Sequence, residues 1–285
     1  MSKKPVLHAL ICTALLLGLT ESPMEAIAGS SGHSASEESV TFTARDFGFD
    51  GPDRIPAGMT TVTVVNQGHD LHQVQLLRLE GNKSAEDFRQ ALATEGRLPA
   101  WIKFVGGPNA VVPGDRASAT MNLPEGNYVL ICLIPDHDGV PHMALGMQKP
   151  LSVKGGKPSL VSVTEPKAGV TITQTDFQFS LSNPVAAGTQ TIRVTNHGGQ
   201  PHEVVLVKLE PGVSAKSFAE AVESGAAGPP PGRPIGGVVG LEIGDQAFFS
   251  TRLEPGHYGV VCFFPDPATG KPHYAQGMAT EFTVK

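Results

Sequence analysis

The sequence predicts an all-β protein made of two tandem β-sandwich domains, each carrying one short helix. Three observations support this fold class: a set of residues that repeats at a constant offset, short apolar segments separated by turn residues, and a composition with 33 Gly and 24 Pro among 285 residues. Short strands joined by glycine- and proline-rich turns are typical of sandwiches and barrels.

The repeat relates one half of the chain to the other. Identical residues recur 130 positions apart in the pairs Asp46/Asp176, Phe47/Phe177, Asn66/Asn196, His72/His202, Phe88/Phe218, Gly126/Gly256, Tyr128/Tyr258 and Cys132/Cys262, and one inserted residue then lengthens the offset to 131. A constant offset of this length indicates duplication of a whole domain, because solenoid units repeat about every 20–50 residues. We therefore place the domains at residues 39–154 and 168–285, joined by a connection at 155–168.

The first 28 residues are predicted to be a signal peptide. Lys3 and Lys4 precede an uncharged apolar run at residues 6–19, and Ala26-Ile27-Ala28 offers small residues at the cleavage positions. That run is shorter than the roughly 20 residues that a membrane-spanning helix needs, and no later segment approaches this length. We expect an exported protein, periplasmic or secreted, without a membrane span.

The strands and helices are predicted from local patterns. Each copy is predicted to have one helix, at residues 84–94 and 214–224, because both segments open with a serine suited to N-capping and space apolar residues at i, i+3 and i+4. In the first copy, segments rich in Val, Ile, Thr and Leu are predicted as strands at residues 40–44, 60–66, 73–79, 117–123, 128–132 and 151–153. The second copy repeats each of these segments.

After the signal peptide only two cysteines remain, Cys132 and Cys262, at equivalent positions of the two copies. Cysteines of exported proteins usually form disulfides, but a disulfide needs Cα atoms within about 7 Å, which equivalent strands of side-by-side sandwiches rarely allow. We expect these two not to pair. An exported unpaired cysteine is either an inert core residue or a metal-bound thiolate.

The residues after each cysteine favour the interpretation as a metal-bound thiolate. The segments CLIPDHDGVPHMALGM and CFFPDPATGKPHYAQGM both contain Pro-His with a methionine five residues later, and a second histidine opens an earlier strand in each copy. One thiolate, two imidazoles and a weak thioether form the donor set that suits copper cycling between Cu(I) and Cu(II). Each residue alone fits ordinary packing, but the joint recurrence predicts one copper per domain, with the ligands His72, Cys132, His142 and Met147, then His202, Cys262, His273 and Met278.

Each copy resembles a cupredoxin (blue copper) domain over nearly all of its length. The resemblance lies in the N-x5-H segment that ends at His72 or His202 and in the later G-x-Y-x3-C and H-x4-M segments. It implies a two-sheet Greek-key sandwich with copper at one end, held by the residues at the matching positions. The long loop between cysteine and histidine resembles that of two-domain copper nitrite reductases.

Two positions leave alternatives within this ligand set. His137 stands five residues after Cys132 and is the alternative to His142, although Pro267 occupies its counterpart and Pro-His-x4-Met is the element that repeats. Gln73 and Glu203 stand where small cupredoxins usually carry an asparagine that ties the histidine strand to the cysteine loop. A carboxylate there would lower the reduction potential if it faced the metal, and would have no effect if it pointed outward.

The chain lacks the residues of a second, catalytic copper centre. In copper nitrite reductases and laccases a histidine directly beside the cysteine connects two kinds of centre, whereas Ile131 and Val261 stand here, and there is no His-x-His pair. We therefore predict no catalytic residues and a non-enzymatic role in single-electron transfer or copper handling. Such a role requires a redox partner protein, which the sequence does not identify. The alternatives are a metal-free cupredoxin-like binding module and, more remotely, a copper oxidoreductase.

Charge argues against one class of partner. The net charge is −6, and no basic stripe of the kind that neutralises phosphates occurs along the chain. We therefore expect no nucleic acid partner.

Overall fold

The computed structural model describes residues 38–155, 165–225 and 229–285. The predicted signal peptide and most of the predicted connection at 155–168 lie outside the described residues, and the domain boundaries remain predictions. Within the described ranges, no helix is long and apolar enough to cross a membrane.

The first copy consists mainly of short strands. In chain order its elements are β1 (Glu38–Arg45), β2 (Gly48–Asp50), β3 (Arg54–Ile55), β4 (Gly58–Asn66), β5 (Gln75–Leu79), α1 (Ala85–Glu95), β6 (Ile102–Gly106), β7 (Arg116–Leu123), β8 (Gly126–Ile131) and β9 (Gln148–Val153). A one-turn 3₁₀ helix, His142–Leu145, lies between β8 and β9.

The second copy repeats this order. Its elements are β10 (Val170–Thr175), β11 (Gln178–Leu181), β12 (Gly188–Asn196), β13 (His202–Leu209), α2 (Ala215–Glu223), β14 (Gly232–Leu241), β15 (Gln246–Leu253), β16 (Gly256–Val261) and β17 (Ala279–Val284), with the 3₁₀ helix His273–Gln276 before β17. The predicted all-β sandwich class with one short helix per copy is confirmed.

The two copies share both of their sheets. One sheet has the strand order β11-β10-β12-β15-β7-β4-β1-β2 and the other β17-β16-β13-β14-β6-β5-β8-β9-β3. The copies meet through equivalent strands, β7 against β15 and β6 against β14, both antiparallel. The two sandwiches are thus joined by backbone hydrogen bonds between strands. These bonds pair backbone N–H and C=O groups that would otherwise be open at the strand edges.

The core lies between the two sheets. In β4 buried and partly buried residues alternate, so that Val62 and Val64 face inward while Thr61 and Thr63 stay partly accessible. This period of two is what a strand with one covered face requires. Each fully buried valine contributes about 1.5–3 kcal/mol relative to an exposed one, so the alternation sets which face is inside.

The helices cover the outer face of the second sheet. Ser84 caps α1, accepting a hydrogen bond from the Asp87 amide while the Asp87 carboxylate accepts one from the Ser84 amide. Phe88 and its counterpart Phe218 are fully buried, each in a small apolar cluster with residues of the neighbouring strands. The capping serines and apolar spacing of the sequence therefore predicted both helices correctly.

Candidate metal centres

The strand pairing brings the first histidine and the cysteine of each copy to the same end of the sandwich. β5 and β8 are antiparallel neighbours, and their register pairs Gln75 with Ile131. His72 precedes the start of β5 and Cys132 follows the end of β8, so the two residues lie at the same end of this antiparallel strand pair. In the second copy β13 and β16 have the equivalent register, with Val205 opposite Val261.

The loop after each cysteine returns the second histidine to the sulfur. In the first copy the His142 amide donates to the Ile134 carbonyl at 2.9 Å, and the Met143 amide donates to the Cys132 carbonyl at 2.9 Å. These bonds fold the long loop into a closed turn, which places His142 Nδ1 3.6 Å from Cys132 Sγ. The loop length therefore does not separate the two residues.

The second copy builds the same turn. The His273 amide donates to the Phe264 carbonyl at 2.8 Å, and the Tyr274 amide donates to the Cys262 carbonyl at 2.9 Å. His273 Nδ1 then lies 3.4 Å from Cys262 Sγ. Both cysteines are free, as expected from the sequence.

Each methionine is held by backbone bonds to its own cysteine and histidine. The Met147 amide donates to the His142 carbonyl at 3.0 Å, and the Cys132 amide donates to the Met147 carbonyl at 3.3 Å. Met278 makes the same two bonds, at 3.0 and 3.1 Å. Both methionines are completely buried in the apolar core that includes the cysteines.

Two groups of potential ligands result. His72, Cys132 and His142 form the first centre, and His202, Cys262 and His273 form the second; in each the nitrogen and sulfur atoms lie within 4.8 Å of one another and all three residues are completely buried. His137, the alternative to His142, has a side chain that is 88% exposed and groups with Asp136 and Asp138 instead. The structure therefore brings His142 to the sulfur and leaves His137 outside.

One hairpin turn contacts both histidines of the first centre. In the β1–β2 turn, Asp46 Oδ1 lies 3.4 Å from His72 Nε2, and the Phe47 ring packs edge-on against His142 with centroids 5.3 Å apart. Phe47 adopts a φ of 62°, a left-handed conformation that few non-glycine residues take. Such a strained conformation persists where the surroundings enforce it.

The second copy has the same turn with the same contacts. Asp176 Oδ1 lies 2.9 Å from His202 Nε2, and Phe177, also at a φ of 62°, packs on His273 at a centroid distance of 5.3 Å. A carboxylate at the outer nitrogen of a histidine orients the ring and directs the other nitrogen inward, as in many metal sites. The Asp-Phe pairs had no predicted role, although their recurrence in the repeat was a signal for one.

A glycine in each copy permits this arrangement. A Cβ atom on Gly68 would lie 2.4 Å from Asp46 Oδ1 and 2.5 Å from His72 Nε2, and one on Gly198 would meet the equivalent atoms at 2.5 Å. No larger residue fits between a histidine and its carboxylate. The asparagine of the N-x5-H segment closes the same loop, because Asn66 Nδ2 donates to the Asp70 and Val111 carbonyls at 2.7 and 2.9 Å.

Burial determines the protonation of both centres. It raises the pKa of the Cys132 thiol to about 11, and burial together with the nearby Glu203 carboxylate raises that of Cys262 well above its ordinary value. Burial lowers the pKa of the histidines, that of His273 to about 4, with a further contribution from His202. At neutral pH the imidazoles are thus uncharged and ready to donate lone pairs, while each thiol would lose its proton only to a bound cation.

The inward nitrogens fit a cation chemically. His72 Nδ1 is buried without a hydrogen-bond partner, and a buried polar atom in this state costs about 1–3 kcal/mol. Two neutral imidazoles, a thiol that can ionise and a buried thioether are the donors that soft or borderline transition metals select. The residues present therefore fit copper in both centres.

The residue after the first histidine differs between the centres, and Glu203 points inward. Its side-chain oxygen Oε1 accepts a hydrogen bond from the Phe263 amide at 3.0 Å, and its own amide lies 3.5 Å from Cys262 Sγ. Burial raises the Glu203 pKa to about 7. Glu203 thus ties the histidine strand to the cysteine loop, and the outward orientation considered from the sequence does not occur.

Comparison with known proteins gives no family model and no curated relative that matches this chain. Among solved structures, an auracyanin from Roseiflexus castenholzii is 21% identical, with a TM-score of 0.30, over 42% of this chain and 99% of its own. The copper-containing nitrite reductase (NirK) of Thermus scotoductus SA-01 is 13% identical, with a TM-score of 0.25, over 88% and 62%. The blue copper oxidase of Nitrosomonas europaea is 15% identical, with a TM-score of 0.25, over 88% and 86%.

At these identities and TM-scores the likenesses carry no argument about the chemistry of this chain, which depends on its own residues. The structure itself shows two β-sandwich copies built on two common sheets, each with one buried His–Cys–His group.

Proposed function

We propose that this protein is an exported copper protein that holds one copper in each domain and passes single electrons. The eight ligands are those that the repeat indicates: His72, Cys132, His142 and Met147, then His202, Cys262, His273 and Met278. The observation that carries the proposal is the convergence of two neutral imidazoles and a buried sulfur, within 4.8 Å, in both copies.

The rigidity of the centres favours electron transfer over delivery of copper. The six histidine and cysteine residues of the two centres are completely buried, and each cysteine loop is closed by backbone hydrogen bonds. Bound copper would supply a one-electron couple. The chain's own residues would hold the ligand geometry in both oxidation states and exclude water, whereas a delivery protein has to open its site to release the ion.

A second, catalytic metal centre finds no support in the described ranges. The remaining group of potential ligands there is Asp136, His137 and Asp138, which lies at the surface. Asp136 Oδ1 already accepts hydrogen bonds from the Asp138 and Val140 amides of its own loop, both at 2.9 Å. The role that we propose is therefore that of a carrier and not of an enzyme.

Export agrees with the state of the cysteines. Two buried unpaired thiols in an oxidising compartment need protection from oxidation, and metal ligation provides it in addition to burial. Periplasmic or secreted localisation remains a proposal that depends on the predicted signal peptide.

Titration of the metal-free mature protein with Cu(II) tests the function. We expect two equivalents to bind and to develop an intense visible thiolate-to-copper absorption that a mild reductant bleaches reversibly. Cys132→Ser and Cys262→Ser should each remove one equivalent and part of the absorption. A folded protein that takes up no copper would contradict the proposal, and turnover of oxygen or nitrite would favour a copper oxidoreductase instead.

A further inference from the structure

One side chain of the first copy reaches into the second centre. Asn109 lies between β6 and β7 and is completely buried. Its Nδ2 group donates hydrogen bonds to the Glu203 carboxylate at 3.1 Å and to the Val204 and Val238 carbonyls at 3.0 and 3.4 Å. An amide from one copy is therefore bonded directly to the residue that follows a histidine of the other copy.

The segment that carries Asn109 is also bonded to the first centre. The His72 amide donates to the Val111 carbonyl at 3.2 Å, and the Val111 amide donates to the His72 carbonyl at 2.9 Å. Asn109 Oδ1 accepts from the Ala110 amide at 2.7 Å, which fixes the side chain against this segment. A continuous series of covalent and hydrogen bonds thus runs from His72 through residues 109–111 to Glu203.

Glu203 completes the connection to the second sulfur. Its Oε1 atom accepts from the amide of Phe263, the residue directly after Cys262, while Asn109 holds its Oε2 atom. The carboxylate therefore spans the domain junction and the start of the cysteine loop. Any movement of Asn109 would shift the carboxylate that fixes the position of this loop.

The two copies carry different residues at the positions of this connection. The repeat places Val239 opposite Asn109 and Gln73 opposite Glu203. Val239 is buried and its amide donates to the Gly107 carbonyl at 3.0 Å, but its side chain cannot donate a hydrogen bond. At this position of the repeat the first copy has a polar side chain that bonds to Glu203, and the second copy has an apolar one.

We propose that Asn109 is a positioning residue for the second metal centre, which it joins to the first through Glu203. This inference depends on the proposed copper function. Loss of a residue that orients a metal ligand typically weakens metal binding by about 10–100-fold. We expect that effect at the second centre alone, although the altered residue belongs to the first copy.

The test replaces residues with their counterparts from the other copy. In a Cys132→Ser background only the second centre can form a thiolate-to-copper band, and Asn109→Val introduces the residue that the repeat tolerates at position 239. We expect the Cu(II) affinity of the second centre to fall by about 10–100-fold, with a shifted band and a changed reduction potential. A purely structural role would alter the unfolding midpoint and leave the band and potential unchanged.

The matched control is Val239→Ala in a Cys262→Ser background, which should leave the band and affinity of the first centre unchanged. If Asn109→Val does not fold, Glu203→Gln, which introduces the residue found at position 73, is measured in the same way and decides the question. A folded variant with an unchanged second centre would overturn the role of Asn109 while leaving copper binding intact. Absence of copper from the parent protein would instead refute the proposed function.

Discussion

His202 Nδ1 lies 3.0 Å from His273 Nδ1, so two buried imidazoles of the second centre direct the same ring nitrogen into one space. Both rings are held from outside, His202 by Asp176 and His273 by Gln200, whose Oε1 atom lies 3.1 Å from His273 Nε2. Each neutral ring that donates its Nε2 proton to the outer oxygen keeps an Nδ1 lone pair directed inward, so a single cation can bind both lone pairs together with the sulfur.

The metal-free protein should lose stability as the pH falls from about 6.5 to about 4. Burial lowers the pKa of His273 from 6.5 to about 4, so in this window the unfolded chain binds a proton that the folded protein does not. Above pH 6.5 the His273 ring is neutral in both the folded and the unfolded chain, and the free energy of unfolding keeps its full value. Below pH 6.5 the unfolded chain is stabilised by protonation, and the free energy of unfolding falls. Urea denaturation at a series of pH values measures this, and His273→Gln should show a shallower pH dependence. An equal slope in both proteins would contradict the prediction.

Metal binding at the first centre should strengthen with rising pH. The Cys132 thiol, with its pKa raised to about 11, is protonated at neutral pH and has to release one proton when it binds a cation. The affinity should therefore increase about tenfold per pH unit through the neutral range. Titration with Co(II) in a Cys262→Ser background, followed by the thiolate absorption, measures it. The double serine variant is the control and should give no absorption, and an affinity that does not change with pH would contradict the release of a proton when the metal binds.

Replacement of the carboxylate behind a histidine should weaken that centre. Asp176→Asn removes the charge that faces His202 Nε2 at 2.9 Å, and we expect a loss of about 10–100-fold in Cu(II) affinity at the second centre. Asp50→Asn is the control, because the Asp50 carboxylate is exposed and bonds to Arg45, and its loss should cost less than about 1 kcal/mol. Equal affinities in the two variants would remove the role assigned to Asp176.

An alanine at position 68 should disturb the first centre. Its Cβ would lie 2.4 Å from Asp46 Oδ1 and 2.5 Å from His72 Nε2, so the contact between carboxylate and histidine has to open. Overpacking of this kind costs about 1–3 kcal/mol. Gly48→Ala is the control, because a Cβ there meets no atom within 4 Å. Thermal unfolding and copper titration of both variants measure the effect, and a Gly68→Ala protein that matches the control would show that the loop yields freely.

Local patterns in the sequence predicted much of the fold. Enrichment in Val, Ile, Thr and Leu identified β4 and β7, and the capping serines with apolar spacing identified both helices, because these signals are contained in short segments of the chain. The short strands β2, β3 and β11 were not predicted, and neither were β6 and β14. β14 contains the adjacent glycines 236–237, and β6 ends at the first of the equivalent pair 106–107; from the sequence, adjacent glycines resemble turns.

Close backbone contacts explain why glycine is required at these positions in both copies. A Cβ on Gly237 would lie 2.0 Å from the Val204 carbonyl oxygen, and one on Gly107 the same distance from the Val74 carbonyl oxygen. The glycines permit a close approach between strands that is visible only once the strands are paired. Sequence patterns do not contain that information, because the partner lies some 30 residues away.

The sequence by itself determined the duplication, the sandwich class and the candidate ligands, since a donor set that recurs twice at one offset is recognised from residue identities alone. Only the tertiary structure decided that His142 and not His137 meets the sulfur, that one Asp-Phe turn contacts both histidines of a centre, and that Asn109 bonds to Glu203 across the junction. These are contacts between residues distant in the chain. Their geometry is fixed by the register of paired strands and by burial, which no local pattern specifies.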